Sequence, residues 1–490
     1  MDTWFSSALL PFSVFGWPDL SSEELKTYFP TDLLETGHDI LFFWVARMVF
    51  MSYFFLDQLP FHTVFLHPIV RDNQGRKMSK SLGNVVDPLE VINGISLEDL
   101  IEKIHQGNLP QNEIVKSIEE KKKEFPKGIP ECGADALRLG LMSYLVQGKN
   151  INLDISRVIS YRFFGNKLWN AVKFMHYYCL KDGTRDYTPV IIDTNTQLSY
   201  IDKWILNKLS RVIKNYDNSF ENYNFGEATN AIYSFWQDNL CDIYVEALKP
   251  VFIAGSQPNA TEQAKTASNI SKNVLIKCIE SGLKLLHPLM PFITEELYQR
   301  LPKDLEAESI CISKFPEVEE YFIDETIEKQ ADTLLNISHK ILSILSQFQI
   351  NKIKPNICIF TEEAWLKELI SKENLLLATL SRTQNVKIIE SKSDDPTVVG
   401  WLVNVFSSST DFYLDLKDLI DVSKEVERLN KNLREKEKFK EELEKKITNY
   451  GPKVPEETKQ INSEKFNNTI IEIEKINASI RSLQGINANI

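Results

Sequence analysis

The spacing of apolar residues divides the chain into four stretches. Up to about residue 135, apolar runs of strand length alternate with turns and short helical patterns, which predicts an α/β domain. From 136 to 315 apolar residues recur at helical spacing, which predicts an α-helical bundle. Shorter β-leaning runs predict a small α+β linker region over 316–418, and a heptad-like pattern occupies 419–490.

The first stretch contains a strand, a tight turn and a helix in immediate succession. Residues 32–36 have the pattern of a strand, Gly37-His38-Asp39 that of a turn, and 40–48 that of a buried helix. This order predicts half of a βαβ nucleotide site, and hence a partial Rossmann-like nucleotide-binding domain, with Asp39 accepting hydrogen bonds from ribose hydroxyls. A Gly-x-Asp turn alone is weak, because Asp is also a common helix cap.

The stretch from Gly75 to Asn84 is the second candidate for phosphate chemistry. It holds two lysines, two serines and two glycines directly after the apolar run 63–70. Backbone N–H groups and hydroxyls can donate hydrogen bonds to phosphate there, and ammonium groups can neutralise charge that shifts during a reaction. The plainer interpretation, a solvated basic turn, is favoured for an arbitrary cluster of Lys and Ser.

Composition restricts the class of protein and the compartment. The chain has 490 residues, 43% hydrophobic and 25% charged, and a net charge of -12, so a nucleic acid would have to meet local basic patches. Its six cysteines are scattered without a Cys-x-x-Cys pair, which predicts reduced thiols, no protein-bound metal and a cytoplasmic location. The apolar run 40–55 carries Arg47 near its middle, and we therefore expect a buried helix and no membrane segment.

The order of residues in the lysine-rich loop points to a known family. Lys77-Met78-Ser79-Lys80-Ser81 resembles the KMSKS loop of class I aminoacyl-tRNA synthetases at all five positions. The blocks 2–9, 36–48 and 75–87 resemble consecutive blocks of the valine-specific branch of that family. Isoleucine-specific relatives typically read Asp-Gln-x-Arg-Gly-Trp-Phe around the Gly-x-Asp turn, whereas this chain continues from Asp39 with Ile-Leu-Phe-Phe-Trp.

The resemblance implies a site made of matched positions. It implies catalytic roles for Lys77 and Lys80, which would stabilise the α-phosphate and the departing pyrophosphate of ATP. It implies an amino-acid pocket in which bulky side chains exclude anything larger than valine, made of Trp4, Ile40 and Trp44. The implied ATP-binding residues are Gly37, Asp39, His67, Pro68, Val70, Lys77, Ser79, Lys80 and Ser81. Mg²⁺ would enter together with ATP as substrate.

The later stretches would face tRNA(Val). Blocks 166–171 and 287–297 resemble the family's helical anticodon-binding domain, which we place at 136–315 after a second-half catalytic domain at 1–135. In the tail, apolar residues step by threes and fours before and after the break at 451–455, which predicts an antiparallel coiled-coil hairpin. Its position matches the family's C-terminal tRNA-binding arm, while an oligomerisation hairpin is the alternative.

Parts of the family pattern have no counterpart in this sequence. No His-x-Gly-His block occurs among the seven histidines, and no stretch corresponds to the inserted editing domain. We therefore expect a C-terminal portion of a valine–tRNA ligase, which would need a separate N-terminal synthetase fragment for activity. The alternative is a non-catalytic tRNA-binding paralogue. The intact pair Lys77 and Lys80 favours the enzyme, because a pure binder does not need both lysines.

Overall fold

Two compact units make up the structure, a computed structural model. It describes residues 3–480 except 73, 79–83, 107–109, 146–149, 303–306, 349, 351–353, 391–400, 408, 416–421 and 449–461, and only part of the positions between 464 and 479. Unit 1 comprises Met1–Val245 and Phe252–Ile323, and unit 2 comprises Glu246–Val251 and Asp324–Ile490.

The first unit is mainly helical and carries three small sheets. Its helices are α1 Thr3–Ala8, α2 Leu10–Ser13, α3 Glu23–Tyr28, α4 Ala46–Leu56, α5 Pro88–Asn93, α6 Leu97–Gln106, α7 Gln111–Glu124, α8 Ala134–Met142, α9 Ile155–Cys179, α10 Tyr200–Glu221, α11 Phe225–Ser234, α13 Glu262–Leu286 and α14 Pro291–Tyr298. Its strands are β1 Thr31–Gly37, β2 Phe61–His67, β3 Val70–Arg71, β4 Ile151–Asn152, β5 Leu180–Lys181 and β6 Thr184–Arg185. Helix α12, Val245–Gly255, has its residues 246–251 in unit 2 and its ends in unit 1.

Strands β1 and β2 are parallel and are joined by a helical crossover. Their register pairs Thr31 with Phe61 and Gly37 with His67, so both strands end at the same edge. The crossover begins as a 3₁₀ turn, His38–Ile40, continues as a π-helical segment, Leu41–Val45, and becomes regular in α4. The predicted strand, turn and helix are thus confirmed, with irregular hydrogen bonding in the first turns of the helix.

The expectation that this helix is buried is wrong. One side of it forms a small core in which Val45 and Met48 pack with Phe61. The other side is open: the side chains of Phe42, Phe50 and Phe54 are 75%, 67% and 79% exposed. We call these three residues the phenylalanine surface. A two-stranded sheet offers one helix too little area to bury both of its sides, and the sequence pattern of apolar residues all round the helix does not reveal this.

The same helix satisfies a simple test for membrane spans. Within the described residues, His38–Leu56 is the one helical stretch that is long and apolar enough to cross a membrane, and 17% of it is buried. Length and composition alone are weak grounds for a membrane span, because core helices and signal sequences pass the same test.

Helices α9, α10, α11 and α13 of the first unit pack together as the predicted bundle, with large aromatic side chains in its interior. Trp204, Trp236 and Tyr244 are fully buried. Asp202 is buried among them and accepts hydrogen bonds from the hydroxyls of Ser199, Tyr244 and Ser271. Three donors compensate the removal of this carboxyl from water, and burial still raises its pKa.

The second unit contains a mixed sheet with helices. Its helices are α15 Glu325–Gln347, α16 Ala364–Lys372, α17 Asn374–Leu380 and α18 Val422–Thr448, and its strands are β7 Ile357–Thr361, β8 Val386–Ile389, β9 Leu402–Val405 and β10 Thr410–Leu414. The strand order is β8-β7-β10-β9, with β7 parallel to β8 and antiparallel to β10. In α18 the heptad positions Leu429 and Leu443 are buried. The described positions between 462 and 480 are helical.

Candidate nucleotide site

The carboxyl ends of β1 and β2 bring together three of the predicted ATP-binding residues. Gly37 is the register partner of His67, and the 3₁₀ turn that starts at His38 carries Asp39 at the same edge. A Cβ atom added at Gly37 would lie 2.8 Å from an Asp39 carboxylate oxygen and 3.6 Å from His67 Nε2. The missing side chain at Gly37 therefore leaves the space in which the Asp39 carboxylate and the His67 ring approach each other.

Lys77 completes this group from a distant part of the sequence. Its Nζ lies 4.0 Å from Asp39 Oδ2, and both side chains are about half exposed or more. At such exposure the pair contributes little to stability. The Lys77–Asp39 pair instead places an ammonium group beside a carboxylate that can accept hydrogen bonds from ribose hydroxyls. Both groups lie at an edge of the sheet where a helix begins. His67 also approaches Glu35, with Nε2 3.7 Å from Oε1.

Asp72 is the anchor of the segment that carries Lys77. Its Oδ1 accepts hydrogen bonds from the backbone N–H groups of Gln74 and Arg76, at 3.1 and 2.7 Å. Its Oδ2 accepts from Arg76 Nε at 2.7 Å and from Asn84 Nδ2 at 3.0 Å. Asn84 Nδ2 also lies 3.3 Å from the Lys77 carbonyl oxygen. One buried carboxylate therefore connects residues on both sides of the lysine-rich loop.

The environment of Asp72 keeps it ionised. Burial raises the pKa of this carboxyl, but the hydrogen bonds from Asn84 and Arg76 outweigh burial, and the pKa lies below its ordinary value. Arg76 is also paired with Glu120 of α7, with Nη2 3.0 Å from Oε2. The pKa of Arg76 is raised, first by its hydrogen bond to Glu120 and then by that to Asp72. The loop is thus tied to α7 by charged hydrogen bonds.

The charged run 119–124 at the end of α7 is only partly a solvated face: Glu119, Lys122 and Lys123 are exposed, but other members of the run contact the protein. Lys121 is buried, and its Nζ lies 5.1 Å from the ring centroid of Phe125. Burial raises the pKa of the Glu124 carboxyl. Because Glu120 binds Arg76, this run also holds the segment that carries Lys77.

The three residues of the predicted amino-acid pocket lie on α1 and in the first turns of the crossover helix. Trp4, on α1, lies 6.5 Å from the ring of Phe43 and under the guanidinium of Arg47. Trp44 is half-buried and packs against the core of the crossover helix, while Ile40 is half-buried at the end of the 3₁₀ turn. The predicted valine pocket stays a prediction.

Of the other predicted ATP-binding residues, the structure describes Pro68 and Val70. Pro68 follows β2, and its carbonyl oxygen lies 3.2 Å from His67 Nδ1. Val70 begins β3, which pairs in parallel with β4. Ser79, Lys80 and Ser81 lie outside the described residues.

A cleft of about 680 Å³ adjoins the other side of the loop. The loop segment, α7 and residues 152–154 line it, and its walls include Asp72, Arg76 and Glu120 but neither Asp39 nor Lys77. Its lining mixes acidic and basic groups. In the part of the chain that the structure describes, no group of three His, Cys, Asp or Glu side chains could hold a metal ion.

Sequence reasoning missed Asp72, Asn84 and Glu120. An Asp five residues before the first lysine of the loop and an Asn beyond its last glycine are a readable signal, because both residue types cap turns through their side chains. Glu120 lies 44 residues from Arg76 and carried no such signal.

Comparison with known proteins identifies the family. Residues 1–154 match the model of "tRNA synthetases class I (I, L, M and V)", and residues 202–359 match that of the "Anticodon-binding domain of tRNA ligase". The chain therefore contains a class I aminoacyl-tRNA synthetase region and an anticodon-binding region. Both regions identified from the resemblance, the catalytic and the anticodon-binding one, are therefore confirmed at the level of the family.

Individual relatives narrow the similarity to one branch of these synthetases. The chain is 41% identical over 95% of its length to a protein named "Valine--tRNA ligase, mitochondrial 1" from Arabidopsis thaliana. It is 40% and 38% identical over 99% of its length to proteins named "Valine--tRNA ligase" from Takifugu rubripes and Homo sapiens. The alignments cover 42%, 40% and 38% of these three relatives, so the chain spans about two fifths of their length.

Proposed function

We propose that this chain is the portion of a valine–tRNA ligase that supplies the lysine-rich loop, the ribose-binding turn and the tRNA-facing helices. In the reaction, the valine carboxylate attacks the α-phosphorus of ATP and the bond to pyrophosphate breaks, which gives valyl-adenylate and pyrophosphate. A ribose hydroxyl at the end of tRNA(Val) then attacks the valyl carbonyl, and AMP leaves. Mg²⁺ accompanies ATP as part of the substrate.

The observation that carries this proposal is the convergence of Asp39, His67 and Lys77 at one edge of the β1–β2 sheet. These residues come from three separate stretches of the sequence, and Lys77 Nζ is 4.0 Å from Asp39 Oδ2. Asp39 would hold the ribose, and Lys77 and Lys80 would stabilise negative charge that moves onto the pyrophosphate. Such positioned charge supplies most of the catalysis in reactions at phosphate.

We further propose that activity requires an N-terminal synthetase fragment that packs on the phenylalanine surface. A two-stranded parallel sheet rarely stands alone, since parallel sheets are covered by helices on both faces. Here three phenylalanines on the crossover helix are each more than half exposed. Apolar area of this kind is typical of an interface with another protein segment.

Valine-dependent exchange of labelled pyrophosphate into ATP tests the activity. The assay compares the chain alone with the chain plus a second polypeptide, the portion of the Arabidopsis thaliana relative that this chain does not match; we call it the complementing fragment. We expect exchange only with both polypeptides, fastest with valine and far slower with isoleucine, since bulky side chains would narrow the pocket.

Two results would count against the proposal. Exchange by the chain alone would refute the requirement for a partner. A bound complementing fragment without valine-dependent exchange, together with retained tRNA binding, would favour the non-catalytic paralogue.

The finer assignments of the tail and of the cell compartment are also proposals. The tail 419–490 would form the antiparallel coiled coil that contacts tRNA(Val), which the burial of Leu429 and Leu443 on α18 supports. A cytoplasmic location rests on the scattered cysteines without a disulfide-like pattern, and cell fractionation tests it.

A further inference from the structure

A thiol, an imidazole and a hydroxyl form a connected group away from the nucleotide site, within unit 1. His287 follows α13, Thr294 belongs to α14, and Cys311 lies in the 3₁₀ turn Ile310–Ile312. The distance from His287 Nδ1 to Thr294 Oγ1 is 2.7 Å, and that from His287 Nε2 to Cys311 Sγ is 3.1 Å. The imidazole therefore has a hydrogen-bond partner on each of its nitrogens.

The hydroxyl of Thr294 determines which nitrogen carries the proton. Thr294 Oγ1 donates its hydrogen to the carbonyl oxygen of Met290, at 2.8 Å. It can then only accept from the imidazole, so Nδ1 of His287 is the protonated nitrogen. The lone pair of Nε2 consequently faces the Cys311 sulfur. A nucleophile, a base and a third group that orients the base stand in the order typical of activated nucleophiles.

The surroundings keep this base ready to accept a proton. Burial lowers the pKa of His287, while the nearby carboxylates of Glu295 and Asp135 act in the opposite direction. A lowered pKa means that the imidazole is neutral at neutral pH and can accept a proton. Glu295 is itself engaged by Ser309 Oγ and the Ile310 backbone N–H, which hold the turn that presents Cys311.

Cys311 differs from the other cysteines in access. It is exposed, whereas Cys132, Cys179, Cys278 and Cys358 are buried and Cys241 is half-buried. Burial raises the pKa of Cys179 and of Cys241 to about 12, which keeps those thiols protonated. Reactivity of a thiol requires both access and a route for its proton. Among the six cysteines, Cys311 meets both conditions.

We propose that Cys311 is a base-activated modification site for small electrophiles, with hydroperoxides as the natural class of co-reactant and His287 as the proton acceptor. His287 Nε2 takes the thiol proton as the sulfur attacks one peroxide oxygen. The O–O bond breaks, the sulfur is oxidised to sulfenic acid, and the departing hydroxide or alkoxide takes the proton from His287 and leaves as water or an alcohol. This inference is independent of the ligase activity.

Limited alkylation with iodoacetamide followed by peptide mass mapping measures the effect of the base. A free thiol is only about 3% ionised at pH 7, so complete activation can accelerate alkylation by about thirtyfold at most. We expect Cys311 to be modified first among the six cysteines, and His287→Asn to slow its modification about tenfold. Asn can still donate to Thr294 in place of Nδ1 but offers no base to the sulfur, which makes it a matched control for packing.

A second measurement uses the unsubstituted chain and decides the matter even if the variant fails to fold. Alkylation of Cys311 in the folded chain is compared with alkylation of the same residue in urea at the same pH, and we expect the folded chain to react about tenfold faster. Hydrogen peroxide followed by dimedone should label Cys311, and Cys311→Ser should remove that label. Equal rates in the folded and unfolded chain, or no loss of rate in a folded His287→Asn variant, would overturn the proposal.

Discussion

Lys77 is the described residue on which the proposed chemistry depends most. It is 67% exposed and faces Asp39 at the edge where ATP would bind, so its removal should affect the reaction and not the fold. In the chain joined by the complementing fragment, we expect Lys77→Met to lower kcat of valine-dependent exchange by about 100-fold or more. The KM for valine should change little, because the lysine would act on the phosphates.

A distant lysine provides the control for this variant. Lys173 is exposed on α9, and Lys173→Met removes the same charge without touching the site. Equal activity of Lys77→Met and Lys173→Met would contradict the proposed role of Lys77.

Asp72 should stabilise the fold in a manner that depends on pH. Its pKa is lowered in the folded chain, so its contribution is complete above the pKa of the unfolded state and is lost as the pH falls through the folded pKa. We expect Asp72→Ala to lower the free energy of unfolding at pH 7 by about 1–3 kcal/mol, because Arg76 and Asn84 lose their acceptor. Urea titrations at pH 7 and below pH 4 measure both effects.

The comparison variant is Asp32→Ala, an exposed carboxyl on β1 for which we expect a change within about 0.5 kcal/mol. If the loss for Asp72→Ala is the same at both pH values, the carboxylate is not the anchor of the loop.

The crossover helix should behave as an interface element. Phe54 is 79% exposed, so Phe54→Ser should leave the free energy of unfolding of the chain almost unchanged. It should weaken binding of the complementing fragment, which a titration by calorimetry measures. Met48→Ser, on the buried side of the same helix, should instead destabilise the chain by about 2–5 kcal/mol. Unchanged binding of the fragment by Phe54→Ser would contradict the assignment of the phenylalanine surface.

Helix α18 belongs to the stretch for which we propose contact with tRNA. A chain that ends at residue 419 should bind tRNA(Val) more weakly in a gel-shift assay. The shortened chain should keep the oligomeric state of the longer chain. If the tail were instead an oligomerisation hairpin, its deletion would change the oligomeric state. Light scattering separates the two outcomes. Unchanged tRNA affinity together with a change from dimer to monomer would contradict the proposal that the tail contacts tRNA(Val).

At the level of elements, local patterns were sufficient where one stretch determined its own structure. The strand–turn–helix at Gly37 and Asp39 was predicted because turn residues and apolar spacing are local signals. Burial was not predictable in the same way. The phenylalanine surface and the pairing of Arg76 with Glu120 depend on which distant segments meet, and a single sequence does not record that.

Across the whole molecule, the net negative charge is compatible with the proposed binding of tRNA only if tRNA contacts local basic patches. The net charge of -12 opposes the approach of tRNA, so affinity should depend on clustered Lys and Arg and fall steeply with salt. The regions matched to the class I synthetases and to the anticodon-binding domain together run from residue 1 to 359 with a gap, while the chain spans about two fifths of its relatives.

The most direct test is the charging of tRNA(Val) with labelled valine by the chain together with the complementing fragment. We predict formation of valyl-tRNA that requires both polypeptides, ATP and Mg²⁺, and that is strongly reduced by Lys77→Met. If the two polypeptides bind each other and tRNA yet form no valyl-tRNA, the proposal that this chain supplies the catalytic lysines of a valine–tRNA ligase is contradicted.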